Sequence, residues 1–142
     1  KEEVKNSPLL YSLLKDELIY TAAISMIDPK ISIPAHYGYY KGVLRYHICI
    51  ETPDDDPNKP YIICGGVKYY WKTGEGILFD DMFEHEVVNK SEKRRIVLFI
   101  DILRKDIPDE LQSINKLVLH LISKNPLIKS QAEKQHIQQK ID

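Results

Sequence analysis

Apolar and polar residues alternate through most of this chain, and turn residues interrupt the alternation every few positions. Alternation of this kind puts successive side chains on opposite faces of a strand. It predicts strands over residues 20–27, 31–35, 42–51, 61–64, 67–71, 77–79, 84–89 and 94–103. Asp28-Pro29 stops the first strand and Pro34 interrupts the second, because proline restricts its predecessor and donates no ladder bond. Gly65-Gly66 is a two-residue hairpin signal. Residues 52–59, with three aspartates in a row and two prolines, read as an exposed loop.

Two of these strands are two-faced. In 42–51, Leu44, Tyr46, Ile48 and Ile50 share one side, while Val43, Arg45, His47 and Cys49 share the other. In 94–103, Ile96, Leu98, Ile100 and Ile102 oppose Arg95, Val97, Phe99 and Asp101. Such strands are either half-solvated or covered outside by helices with the polar face lining a cavity.

The period lengthens at both ends. Beyond a polar, frayed stretch over 1–8, Ser7-Pro8 opens a short helix with Leu9, Leu10, Leu13 and Leu14 at helical spacing. Leu111, Ile114, Leu117, Val118 and Leu121 repeat the helical spacing downstream, and Asp106, Asp109 and Glu110 suit a helix start. Asn125-Pro126 breaks that helix, and 127–140 is a weakly amphipathic second helix or tail. Many short strands with turns between them define an all-β sandwich or barrel. At 142 residues the chain reads as one domain over 1–142, with its core at about 20–104 and a helical segment at about 106–140.

Composition narrows this little. The net charge of −1 gives no reason to expect nucleic acid, and no apolar run approaches a membrane span. The chain opens on Lys1, as an excised or processed piece would, so targeting information is not visible and the cytoplasm is the expected compartment for this stretch. Cys49 and Cys64 sit in apolar β runs and read as free buried thiols. Asn89-Lys90-Ser91 fits a glycosylation acceptor, relevant only to a secreted protein.

Of five histidines, His120 and His136 lie in the helical end and read as ordinary surface residues. His36, His47 and His85 fall in the β region, and His85 stands in an acidic run, Phe79-Asp80-Asp81-Met82-Phe83-Glu84-His85-Glu86. One or two of those acids are expected to accept hydrogen bonds from ligand histidines or nearby backbone. Two histidines and a carboxylate with open positions form the site of non-haem Fe(II) oxygenases, and a downstream arginine holds a co-substrate carboxylate. His36, His85 and Arg95 follow that order, but Gly38 stands where the carboxylate belongs. On spacing alone, a metal site and a set of hydrogen-bonded histidines in a β sandwich are equally good readings.

His36-Tyr37-Gly38, the 42–47 strand with Arg45 and His47, Trp71-Lys72-Thr73-Gly74-Glu75-Gly76 and the 79–86 run together resemble the aspartyl/asparaginyl β-hydroxylase family, in order over about 25–101. The resemblance implies a double-stranded β-helix, jelly-roll and cupin-like, with flanking helices. It implies Fe(II), 2-oxoglutarate as co-substrate and O2, with His36 and His85 as iron ligands and water completing the coordination. Members characteristically have glycine at the third position, as Gly38 is here. By the same resemblance Ser25 and Arg95 hold the distal carboxylate of 2-oxoglutarate, and Arg45 and His47 meet its chelating end. Alternation favours Arg95 over Arg94, which falls on the apolar side of its strand. The implied substrates are Asp/Asn side chains of a peptide or protein, or a lipid or small molecule. The alternatives are a catalytically idle β-helix binding domain and a cupin-like enzyme with other metal chemistry.

Overall fold

The computed structural model describes residues 7–126, and the expected segment at 127–140, with His136, lies outside them. The chain runs α1 (Pro8–Leu13), β1 (Ile19–Ile27), β2 (Ser32–His36), β3 (Val43–Glu51), β4 (Tyr61–Cys64), β5 (Val67–Tyr70), β6 (Gly76–Phe79), β7 (His85–Val88), β8 (Arg95–Leu103) and α2 (Asp109–Lys124). Ser7 caps α1 through its hydroxyl, which accepts from the Leu10 N–H, and Pro8 occupies the first turn. Gly65 and Gly66, at φ of 55° and 80°, make the primed hairpin turn between β4 and β5.

Two antiparallel four-stranded sheets result, in the orders β1-β8-β3-β6 and β2-β7-β4-β5. The chain passes between the sheets at most connections, which is the winding of a double-stranded β-helix, and the sheets face each other without closing into a barrel. Between them lies a core of Ile27, Cys49, Ile62, Trp71, Val87 and Val97. Each fully buried aliphatic here contributes about 1.5–3 kcal/mol. The outer apolar face of the first sheet (Ala22, Leu98, Ile100, with Tyr46, Ile48 and Ile102) is covered at one end by Leu10, Leu13 and Leu14 around α1. The two-faced strands are therefore covered outside in part, with Ile50 left exposed, and their polar sides turn inward to a cavity.

The C-terminal helix seats differently from its apolar spacing. Leu111, Ile114, Leu117 and Leu121 are exposed, while Asn115 and Leu119 are buried. Leu119 packs on Val43 and Leu103, Tyr20 donates its hydroxyl to the Leu119 carbonyl, and Asn115 Nδ2 donates to the Gly42 carbonyl at 3.0 Å. A Cβ on Gly42 would collide with Asn115 Oδ1 and the Tyr40 ring, so glycine sets this close approach. Asp106 does not cap the helix, because Arg104 takes its carboxylate; Pro108 is the N-cap residue, with no side-chain hydrogen bond. The two cysteines are free. Asn89 is only 1% exposed and donates to the carbonyls of Ile27, Asp28 and Lys93, which rules out its use as a glycosylation acceptor in the folded chain.

Candidate active site

The last residue of β2 and the first of β7 are register partners, and both are histidines. The His36 and His85 ring centroids lie 4.1 Å apart, tilted by 53°. Each ring is oriented the same way. His36 Nδ1 meets the Pro34 carbonyl at 2.7 Å, and His85 Nδ1 meets the Phe83 carbonyl at 2.9 Å. A carbonyl only accepts, so Nδ1 donates in both, and in the neutral ring Nε2 keeps its lone pair. That is the tautomer a metal ligand needs, and it is fixed by backbone carbonyls. The acidic residues around His85 accept from neither ring, but Asp80 accepts from nearby backbone, the Met82 N–H at 3.1 Å, as expected of one or two of those acids.

Both rings line a cavity of about 320 Å³ between the sheets, together with Ser25, Arg45, His47, Asp81 and Arg95. All six residues singled out in the sequence thus face one space. Arg94 does not; it points outward to Asp28 at 2.9 Å. Cys49 packs in the core rather than lining the cavity, and burial raises its thiol to about 11. Tyr37 and Tyr39 stand half-exposed at the rim, and Tyr37 donates to Glu84.

The deep end is polar and unpaired. Arg95 is 1% exposed, its guanidinium lies 4.4 Å from the Trp71 ring, and its Nε and Nη1 have no hydrogen-bond partner. Burial lowers it to about 10. Both nitrogens of His47 are likewise buried without a partner, within a ring cage of Trp71, Phe79 and Phe99. Buried polar groups left unpaired cost stability, and a set aimed at one cavity is a binding site for a complementary anion.

Arg45 is committed. Its Nε donates to Asp101 at 3.0 Å and its Nη2 forms an ion pair with Asp81 Oδ2 at 3.0 Å, with the guanidinium over Phe99. Asp81 is the residue that sequence reasoning undervalued. It is 3% exposed and leaves Oδ1 buried without a partner. A Cβ on Gly38 would meet its carboxyl atoms at 2.5 Å. The space a side chain at position 38 would enter is thus filled by the Asp81 carboxyl group, carried across on the acidic turn. Among the described residues no three His, Cys, Asp or Glu side chains gather closely enough to hold a metal alone. The set that fits is two histidine nitrogens, one free carboxylate oxygen nearby, and room for small-molecule ligands.

Burial holds His47 well below the usual histidine range, reinforced by Arg95, Arg45 and His85. Folded His47 stays neutral where the unfolded residue, near 6.5, takes up a proton. The unfolded state therefore binds more protons below that value, and stability is lost as pH falls through about 6.5. Urea unfolding should show a midpoint that declines between pH 7 and pH 5, with a shallower decline in His47→Phe. Equal slopes would remove this assignment.

The fold class is borne out by a solved structure of the cupin type. The cupin domain of Schizosaccharomyces pombe Cnp3 superposes with a TM-score of 0.50 at 8% identity, over 63% of this chain and 59% of that one. The family follows from sequence. The aspartyl/asparaginyl beta-hydroxylase profile matches residues 1–105, and the chain belongs to that family. Among relatives, it is 35% identical to the ornithine lipid ester-linked acyl 2-hydroxylase of Rhizobium tropici over 77% of this chain and 38% of that protein. It is 26% identical to human aspartyl/asparaginyl beta-hydroxylase over 63% of this chain and 12% of that protein. The chain thus spans little more than a third of the first relative and about an eighth of the second. Helix α2 lies beyond the family match.

Proposed function

We propose that the protein is an Fe(II)- and 2-oxoglutarate-dependent hydroxylase. The observation that carries this reading is the pairing of two histidines, each with Nε2 left free, with an unpartnered buried arginine in one cavity. When bound, the iron and 2-oxoglutarate supply the oxidation of a C–H bond by dioxygen. His36 and His85 would hold the metal. Arg95 would neutralise the distal carboxylate of 2-oxoglutarate with a charge-assisted fork, with Ser25, opposite Val97 on the neighbouring strand, lining the same cavity. His47 would face the other end of the co-substrate. Asp81 Oδ1 would accept a hydrogen bond from water at the metal, since no protein group satisfies it. Ile62, Phe79 and Val87 wall the cavity and keep bulk water from it.

For the substrate, the arginines favour an uncharged acyl chain over an aspartyl side chain. The chain has four arginines: Arg94 and Arg104 pair with Asp28, Asp80 and Asp106, and Arg45 pairs with Asp81 and Asp101. Only Arg95 is left for an anion, and the co-substrate takes it. Among the described residues, no lysine lines the cavity. The Rhizobium tropici relative, whose name specifies an acyl 2-hydroxylase, agrees with this reading. Succinate release from 2-oxoglutarate with Fe(II) and ascorbate is expected, stimulated by acyl lipids in mixed micelles more than by Asp- or Asn-containing peptides. No succinate with either class would sink the hydroxylase reading; stimulation by peptides alone would sink the acyl one.

A further inference from the structure

Arg104, at the end of β8, joins the two histidine-bearing segments from behind. Its Nη1 donates to Asp80 at 2.6 Å, and its Nε and Nη2 grip both oxygens of Asp106 at 2.9 and 2.8 Å. Its side chain is 13% exposed. The two carboxylates hold its guanidinium firmly charged, well above its ordinary value. The backbone is tied as well. The Arg104 N–H donates to the Gly42 carbonyl, which also accepts from Asn115, and the Arg104 carbonyl accepts from Gln112 on α2.

Asp80 in turn organises the turn that supplies the acceptor of the His85 ring. Its Oδ1 accepts from the Met82 N–H at 3.1 Å, and its carbonyl accepts from the Phe83 N–H at 3.2 Å. Phe83 supplies the carbonyl that fixes the His85 tautomer. Next to Asp80, the Asp81 carbonyl accepts from the Gly38 N–H at 2.7 Å, which ties in the segment that carries His36. A displacement of the 80–83 turn therefore moves the acceptor of one histidine and the neighbour of the other together.

We propose that Arg104 is a positioning residue for the histidine pair, acting through Asp80, and that α2 braces it from beyond the family match. This rests on the reading of His36 and His85 as metal ligands. Partners that orient metal ligands from outside typically change affinity 10–100-fold when removed. Lysine at 104 would keep one charge contact but not the three-way fork.

The test is Mn(II) affinity by electron paramagnetic resonance, measured without turnover, beside thermal melting of each variant. Arg104→Met should weaken Mn(II) binding on the order of tenfold, and Arg104→Lys should recover part of it. Asp80→Asn keeps the acceptor for Met82 but loses the one for Arg104, and it should weaken binding equally. Arg104→Met and Asp80→Asn combined should add little to either. Asp106→Asn, whose carboxylate lies outside the turn, should stay within about twofold of wild type. A folded Asp80→Asn or Arg104→Met that binds Mn(II) like wild type overturns the proposal, as does an equal loss in Asp106→Asn. Failure of the wild-type chain to bind Mn(II) at all would instead overturn the ligand reading beneath it.

Discussion

Gly38→Asp is expected to weaken Mn(II) binding at the proposed His36/His85 site instead of strengthening it. A two-histidine, one-carboxylate triad is the commoner arrangement for this metal chemistry, so aspartate at 38 looks like a repair. The space is already taken. A Cβ at that position meets the Asp81 carboxyl atoms at 2.5 Å, and Asp81 is held by Arg45 and packed at 3% exposure. Making room forces apart the backbone bond from Gly38 to the Asp81 carbonyl, which also registers the His36 segment. Overpacking of this kind costs about 1–3 kcal/mol, and two adjacent carboxylates with one arginine add repulsion. Mn(II) affinity should fall by more than about tenfold, the scale seen when ligand orientation is lost. The double substitution Gly38→Asp/Asp81→Gly frees the space, keeps one carboxylate, and should restore binding at least in part. Tighter Mn(II) binding by Gly38→Asp alone would show that Asp81 does not stand in for the third group.

The sequence made most of the strands legible, because a period of two with turn residues between leaves few alternatives. The same alternation separated Arg95 from Arg94: position 95 shares a face with Val97 and Phe99, and the structure puts it inside while Arg94 meets solvent and Asp28. What stayed hidden depended on pairing between distant segments. Asp81 is one of four acids in a short run, and only the Arg45–Phe79 register of β3 on β6 brings it to Arg45. The seat of α2 was hidden for a related reason. Its apolar spacing points to Leu111, Ile114, Leu117 and Leu121, yet a polar residue, Asn115, is buried because the glycine at 42 lets it reach a carbonyl. Backbone carbonyls as histidine acceptors carry no residue signature at all. The choice of His36 and His85 as proposed ligands came from motif resemblance, and geometry then supplied the tautomer argument.

Arg95→Met is expected to separate stability from co-substrate binding. Below about pH 10 folded Arg95 is charged, and burial has pulled it down from its ordinary value. A base whose folded value is lowered destabilises the fold wherever it stays protonated, so at neutral pH the full cost is present and is relieved only as pH rises through that value. Removing the charge removes the cost. Methionine retains contact with the Trp71 ring that the guanidinium covers, and the melting temperature without ligand should equal or exceed that of wild type. The loss appears with 2-oxoglutarate. Two charge-assisted hydrogen bonds at about 1.5–3 kcal/mol each correspond to a drop in affinity of about 100-fold or more. Saturating 2-oxoglutarate with Mn(II) should raise the wild-type melting temperature, by about 2.7 kcal/mol of stabilisation at 100 times Kd, and leave that of Arg95→Met unmoved. Arg94→Met, which loses only an exposed ion pair, should behave as wild type in both measurements. If Arg95→Met melts lower and still responds to 2-oxoglutarate, Arg95 is a structural residue and the unpaired cation at the deep end of the cavity is not the co-substrate's anchor.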